Sequence, residues 1–131
     1  MAITRINPDT LHKNPAFTQV ATVDRSAKLV FVGGQNGVNK EGKVVGKDIG
    51  SQTEQAYKNV IAALEAAGAT LQDVFKMTIY VVHGQSLQEG FAAVQRVQPE
   101  GTPPPTVSFA FVAELAVPDY LVEIEAVAAV E

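Results

Sequence analysis

Apolar and polar residues alternate from Val74 to Val82, at the spacing of a half-buried strand. One face of that strand would carry Phe75, Met77, Ile79 and Val81. The opposite face would carry Lys76, Thr78 and Tyr80. The pattern therefore predicts a strand whose first face lies in the core.

Stretches rich in Val, Thr and Phe predict further strands. Phe17 to Asp24 and Ala27 to Val32 flank the turn-forming residues Asp24-Arg25-Ser26, so we interpret them as a β-hairpin. Another strand is expected at Ile3 to Asn7. Two more are predicted at Thr106 to Leu115 and at Tyr120 to Val130, with a turn at 117–119 between them.

Two segments have the spacing of amphipathic helices. The first begins at Ser51, where Ser51-Gln52-Thr53-Glu54 fits a capping box, and stops at Gly68. Its inner face is Tyr57, Val60, Ile61 and Leu64. The second runs over 86–98, with its apolar side at Leu87, Phe91 and Val94.

This order of elements predicts an α+β fold in which both helices pack on one face of a mixed or antiparallel sheet. Residues 1–131 have the length of a single domain. The other face of such a two-layer sheet would be bare, and self-association would cover it.

Charge and composition exclude several classes of function. The net charge is −4 with no run of Lys or Arg, so a nucleic-acid partner is not expected. No cysteine is present, which excludes thiolate catalysis and sulfur-ligated metals. No segment reaches the length of a membrane span, and the first eight residues lack the apolar run of a signal peptide. A cytoplasmic protein without a membrane partner is therefore expected.

Few side chains are candidates for chemistry. His12 and His83 are far apart and neither has a second ligand at i+2 or i+4, so no metal site is expected. Glu123 and Glu125 stand at i and i+2 on the last predicted strand and would project from one face. Such a pair could share a cleft, or it could be a solvated strand face, which is the commoner role of carboxylates.

Several short motifs, taken in order, resemble the Rid (YjgF) family of reactive-intermediate deaminases. They are Gly33-Gly34-Gln35, Gln52-Thr53, Leu64-Glu65-Ala66-Ala67-Gly68, Asp73-Val74-Phe75-Lys76 and Val122-Glu123-Ile124-Glu125-Ala126. Each motif is weak alone, but the order and spacing are specific. The resemblance covers about Pro15 to Val130.

The resemblance implies a chorismate-mutase-like α+β fold, a homotrimer and a small-molecule ligand in each of three clefts between subunits. Active members hydrolyse 2-imino acids and their enamine tautomers to 2-keto acids and ammonia; no cofactor is expected. In them an Arg in a Pro-x-Arg-Ser stretch holds the substrate carboxylate. A backbone amide of the Gly33-Gly34-Gln35 loop and Glu123 would complete the site, with Glu123 helping to position water.

The chain departs from the family at the Arg. The corresponding stretch is Pro105-Thr106-Val107-Ser108, so Val107 stands at the Arg position, and a one-residue slip would place Thr106 there. Phe17 replaces an aromatic hydroxyl, and Gln88 replaces an Asn. The lost contact is worth roughly 1.5–3 kcal/mol per hydrogen bond, so an anionic imino acid should bind badly.

Two functions remain open from the sequence. One is an imine or enamine hydrolase of altered substrate choice, with Glu123 as the catalytic residue. Its ligand-binding residues would be Phe17, Gly33, Gly34, Gln35, Gln88, Val107 and Ser108. The other is a trimer that binds a small ligand without turnover. A replacement arginine would have to be Arg5, Arg25 or Arg96.

Overall fold

The computed structural model of the chain describes residues 2–131. Its strands are β1 Ile3–Ile6, β2 Val20–Val23, β3 Lys28–Gln35, β4 Val74–Val82, β5 Thr106–Val112 and β6 Val122–Val130. The helices are α1 Ile49–Ala66 and α2 Leu87–Val97, and a 3-10 turn at Leu71–Asp73 precedes β4. None of these helices is long and apolar enough to cross a membrane.

Four strands form a mixed sheet in the order β3, β6, β4, β5. The central strand β6 is antiparallel to both of its neighbours, whereas the edge strand β5 is parallel to β4. The helices pack against one side of this sheet, which we call the helix face; the opposite side is the outer face. The predicted α+β architecture, with helices on one face of a mixed sheet, is confirmed.

The predicted hairpin of residues 17–32 is wrong. Strands do form at β2 and β3, and Ala27 closes a turn on Asp24. However, β2 pairs with β1 in a separate two-stranded sheet, while β3 joins β6. The strand expected near the N-terminus is present as β1. It pairs with β2, the strand that was expected to pair with β3.

Helix α1 begins earlier than the predicted capping box. Asp48 is the N-cap, and its carboxylate accepts a hydrogen bond of 2.8 Å from the backbone N–H of Ser51. That bond lowers the pKa of Asp48. The predicted stop is confirmed, because Gly68 adopts a φ of 78° just beyond the helix.

The core lies between α1 and the helix face of the sheet. Tyr57, Val60 and Leu64 of α1 are buried there, as the helical spacing predicted. Facing them from the sheet are Val32, Met77, Val81, Val122, Ile124 and Ala126. Residues of β6 therefore contribute to the core at every second position.

Phe75 does not join the core face of β4 as predicted. The pairing of β4 with β6 is irregular between Val74 and Lys76, which changes the alternation at this end of the strand. Val74 is buried in the main core instead, and Phe75 packs on the outer face against a second cluster that includes Ile3 and Ala129.

The β1–β2 sheet covers only this end of the outer face. Further along, Phe31 of β3 is 73% exposed. It borders a depression with Lys76, Thr78 and Glu125. The expectation that part of the sheet is left bare therefore holds for the single chain.

Gln52 in the first turn of α1 is buried and joins three segments. Its Nε2 donates to the carbonyl oxygens of Gly46 (3.2 Å) and Asp119 (3.0 Å), and its Oε1 accepts from the Leu121 N–H (2.9 Å). The loop before β6 is thereby fixed to the start of α1. This contact sets the position at which β6, with Glu123, enters the sheet.

Candidate functional site

Glu123 lies on the outer face of β6. Its neighbours Val122 and Ile124 are buried on the helix face, which directs the Glu123 side chain to the opposite side. The residue across from it on β4 is Tyr80. Glu125 projects from the same face, as predicted, and lies across from Thr78.

The Gly-rich loop touches the Glu123 carboxylate. A register shift in β3 between Val32 and Gln35 brings Gly34 against this side chain. A methyl group at Gly34 would lie 2.6 Å from Glu123 Oε2, so the carboxylate occupies space that a side chain would take. Gly34 and the Glu123 side chain are therefore in contact within one chain.

Two asparagines hold the loop and the carboxylate together. The Nδ2 of Asn36 donates to the Val122 carbonyl oxygen (2.9 Å) and, at 3.4 Å, to Glu123 Oε1. The Nδ2 of Asn59 on α1 donates to the carbonyl oxygens of Asn36 (3.1 Å) and Val38 (2.8 Å). No role was predicted for Asn36. Its position directly after the Gly-rich loop is the sequence feature that could have indicated one.

Gly33 and Gln35 surround this contact without reaching the carboxylate. Gly33 is exposed beside the depression that Phe31 borders. The Gln35 Nε2 donates back to the Gly33 carbonyl oxygen at 3.1 Å. No Lys, Arg or His nitrogen among residues 2–131 forms an ion pair with Glu123. The carboxylate is thus half-buried, with one amide donor and no cation.

Val107 lies on the other side of the sheet. It stands across from buried Met77 on β4 and faces a cavity of about 310 Å³ between β4, β5 and α2. Phe17 lines the same cavity, because Thr18 anchors its segment to the loop before β5. The Thr18 N–H donates to the Pro105 carbonyl oxygen (2.8 Å), and its Oγ1 donates to that of Pro104 (2.6 Å).

Ser108 and Gln88 are not brought to either place. Ser108 is exposed on the outer face, across from Thr78. Gln88 is exposed on α2, while its neighbour Leu87 lines the cavity. Thr106, the alternative to Val107, donates its hydroxyl hydrogen to the Phe75 carbonyl oxygen at 2.9 Å.

None of the three arginines replaces the missing cation at the cavity within one chain. Arg5 donates to the carbonyl oxygens of Gln72 and Val74 and does not line the cavity. Arg96 pairs with Glu54 at 3.3 Å. Arg25 is exposed in the turn before β3. The residues that line the cavity include no charged side chain among those described.

Tyr57 was predicted only as part of the inner face of α1, but it also lines this cavity. Tyr57 Oη donates to Gln98 Oε1 at 2.6 Å. Burial raises the pKa of Tyr57 to about 12. The signal was a tyrosine on an otherwise apolar helix face, because a buried tyrosine hydroxyl needs a partner.

Four of the predicted site residues therefore form two pairs within one chain. Gly34 and Glu123 meet on the outer face, whereas Phe17 and Val107 line a cavity on the helix face. No cluster of three or more metal-ligating side chains occurs in the described part of the chain.

Known proteins are similar to the chain in sequence and in fold. The sequence profile of the Endoribonuclease L-PSP family matches residues 10–130. A RutC family protein of Pyrococcus horikoshii is 36% identical over 107 residues, which cover 79% of this chain and 81% of that protein. A 2-iminobutanoate/2-iminopropanoate deaminase of Dermatophagoides farinae is 33% identical over 105 residues, or 78% of each chain.

A solved structure extends the similarity to the whole fold. A protein of unknown function of the conserved Rid family from Yersinia pestis superposes with a TM-score of 0.88 at 33% identity. The superposition covers 99% of this chain and all of that one.

Replacing Gly34 with alanine should displace the Glu123 carboxylate, because the new methyl group would occupy its place. Gly33→Ala is the matched control, since nothing lies within 4 Å of a methyl group at that position. We expect the carboxyl carbon resonance of Glu123 to shift in Gly34→Ala and to stay unchanged in Gly33→Ala. Equal resonances in both variants would mean that the Gly34 contact does not position Glu123.

Proposed function

The chain belongs to the Rid family, and we propose that it is a small-molecule hydrolase of the imine or enamine deaminase type that acts on a neutral substrate. The apolar surroundings of Val107 carry this proposal. No charged side chain of the described residues lines that cavity, so a substrate carboxylate would lose hydration without gaining a partner. A neutral imine has no such cost.

Glu123 is the proposed general base. Its carboxylate would accept a proton from water as the water oxygen bonds to the carbon of the C=N group, and would return that proton to nitrogen. In the resulting carbinolamine, the same carboxylate would move the hydroxyl proton to nitrogen while the C–N bond breaks. The products are a carbonyl compound and ammonia.

The proposal requires more than one copy of the chain. Glu123 and Val107 lie on opposite faces of one sheet, so a single chain does not present both to one ligand. We propose a homotrimer in which the outer face of one subunit meets the cavity side of the next. Large exposed apolar side chains support such a contact; they include Phe31, Phe91, Phe109 and Phe111.

A relative supports the reaction type. The mite protein that matches 78% of the chain is named a 2-iminobutanoate/2-iminopropanoate deaminase. Those substrates are carboxylates, whereas the cavity beside Val107 lacks a cation. The two proteins would then share hydrolysis of a C=N bond. They would differ in the chemical group that each recognises next to that bond.

The alternative is a trimer that binds a small ligand without turnover. One observation favours it: the only side chain that donates a hydrogen bond to Glu123 within residues 2–131 is Asn36, and that contact is long at 3.4 Å. A carboxylate held so loosely could be a solvated strand residue. Turnover distinguishes the two functions.

Glu123→Gln should abolish ammonia release, because the amide cannot accept a proton from water. The assay follows ammonia from imines generated in solution by oxidation of amino acids, amino acid amides and simple amines, which spans anionic to neutral substrates. We expect a loss of roughly 10²- to 10⁴-fold on the neutral imines. Glu125→Gln, two residues along the same face, is the matched control and should retain activity. If the wild type releases ammonia no faster than buffer from any of them, the hydrolase proposal is rejected for this class.

Val107→Arg should create affinity for 2-keto acids such as pyruvate and 2-oxobutanoate, because a guanidinium at this position can hold a carboxylate through two hydrogen bonds. We expect a gain of at least about tenfold over the wild type, measured by thermal shift. Val107→Met controls for side-chain length without charge. If Val107→Arg gains no more than Val107→Met, Val107 does not occupy the substrate-binding position.

A further inference from the structure

The cavity beside Val107 continues into the interior of the subunit. Asn14 and Ala16 at its rim are exposed, whereas Leu71 and Val74 are buried, so the cavity deepens from the N-terminal segment towards α1. A separate space of about 50 Å³ lies under α2 and shares part of this lining, including Phe91, which is 57% exposed. A volume of roughly 150 Å³ is enough to hold benzene in a protein interior.

One polar pair lies at the deep end. Tyr57 is 3% exposed, and its hydroxyl hydrogen is given to Gln98 Oε1. The other polar side chains of the lining, Asn14 and Thr102, are engaged in local turns: Asn14 Oδ1 accepts from the Ala16 N–H, and Thr102 Oγ1 donates to the Pro99 carbonyl oxygen.

Unused hydrogen-bonding capacity remains on the Tyr57–Gln98 pair. The Tyr57 oxygen has a free lone pair, because its hydrogen is donated to Gln98. The Gln98 Nε2 donates to no group among residues 2–131. Since Gln98 is the C-cap of α2, its side chain is held near the end of that helix. The pair therefore offers one acceptor and one donor, side by side, in an apolar space.

We propose that each subunit binds in this cavity a small neutral molecule with an apolar body and one terminal hydroxyl group, which hydrogen-bonds to Tyr57 and Gln98. A hydroxyl matches both free positions, because it donates to the Tyr57 oxygen and accepts from the Gln98 amide. The apolar body contacts Met77, Phe91 and Val107. This inference rests on the proposed function, because Phe17 and Val107 belong both to the proposed active site and to this cavity. It adds a binding position for the part of the substrate that lies beyond the reacting C=N group.

An anion is a poor occupant of the deep end. The lining has no charged side chain among the described residues, and an isolated carboxylate there would lose its hydration uncompensated. A purely apolar molecule would fill the space but would displace water from the partly buried Gln98 side chain without offering its N–H an acceptor. The terminal hydroxyl is what distinguishes the expected ligand from a hydrocarbon of the same shape.

The test uses p-cresol and p-xylene, which differ only in a hydroxyl in place of a methyl group. Both are neutral at pH 7, since a phenol has a pKa near 10. Calorimetric titration of the full-length protein should give an affinity for p-cresol roughly five- to tenfold higher than for p-xylene. Tyr57→Phe and Gln98→Leu should each remove this preference. Gln95→Leu, on the exposed side of the same helix, is the matched control and should keep it.

A second measurement keeps the test valid if a variant fails to fold. In the wild type, p-cresol should shift the side-chain amide resonances of Gln98, and p-xylene should not. Equal affinity for the two probes, no binding of p-cresol, or a preference that survives both substitutions would overturn the proposal. Loss of the p-cresol preference with ammonia release intact would overturn this inference alone, whereas absent ammonia release with the preference intact would overturn only the hydrolase proposal.

Discussion

The alternation of side chains along β6 is the constraint on which the rest of the structure depends. This strand lies between β3 and β4 and pairs with both, so its register is fixed on each side. Val122, Ile124 and Ala126 fill the core beneath α1, and burial of a Val or Ile side chain is worth up to about 3 kcal/mol. A slip of one residue would expose all of them and bury Glu123 and Glu125. The energy of the core thus holds Glu123 on the outer face, where Gly34 leaves room for it.

The same constraint separates the two parts of the candidate site. Val107 is turned to the helix face because it pairs with Met77, and Glu123 is turned away from that face. A small ligand that touches both must therefore lie between subunits. In the proposed site, Val107 and the lining behind it would decide which ligand binds. Where a guanidinium would favour an anion, this chain has an uncharged cavity that ends at Tyr57 and Gln98.

Local patterns predicted the elements better than their partners. The bounds of β4 and the end of α1 at Gly68 agree with alternation and with glycine chemistry, which are properties of adjacent residues. The pairing of β2 with β1 could not be predicted from adjacent residues, because several strands have a similar composition. Asp48 and Ser51 are both good N-cap residues, and only the folded chain shows that Asp48 serves. In the candidate site, the family resemblance predicted roles for Gly34, Glu123 and Val107. A tyrosine on an apolar helix face indicated that Tyr57 needs a partner, but the partner, Gln98, lies 41 positions away and could not be predicted.

In the proposed hydrolase, Glu123 of one subunit and Val107 of another face a common ligand, which requires a stable assembly. Sedimentation velocity at micromolar concentration tests this most directly. We expect a single species with three times the 13.9 kDa mass of the chain. A stable monomer would contradict it, since the two halves of the proposed site would then never meet.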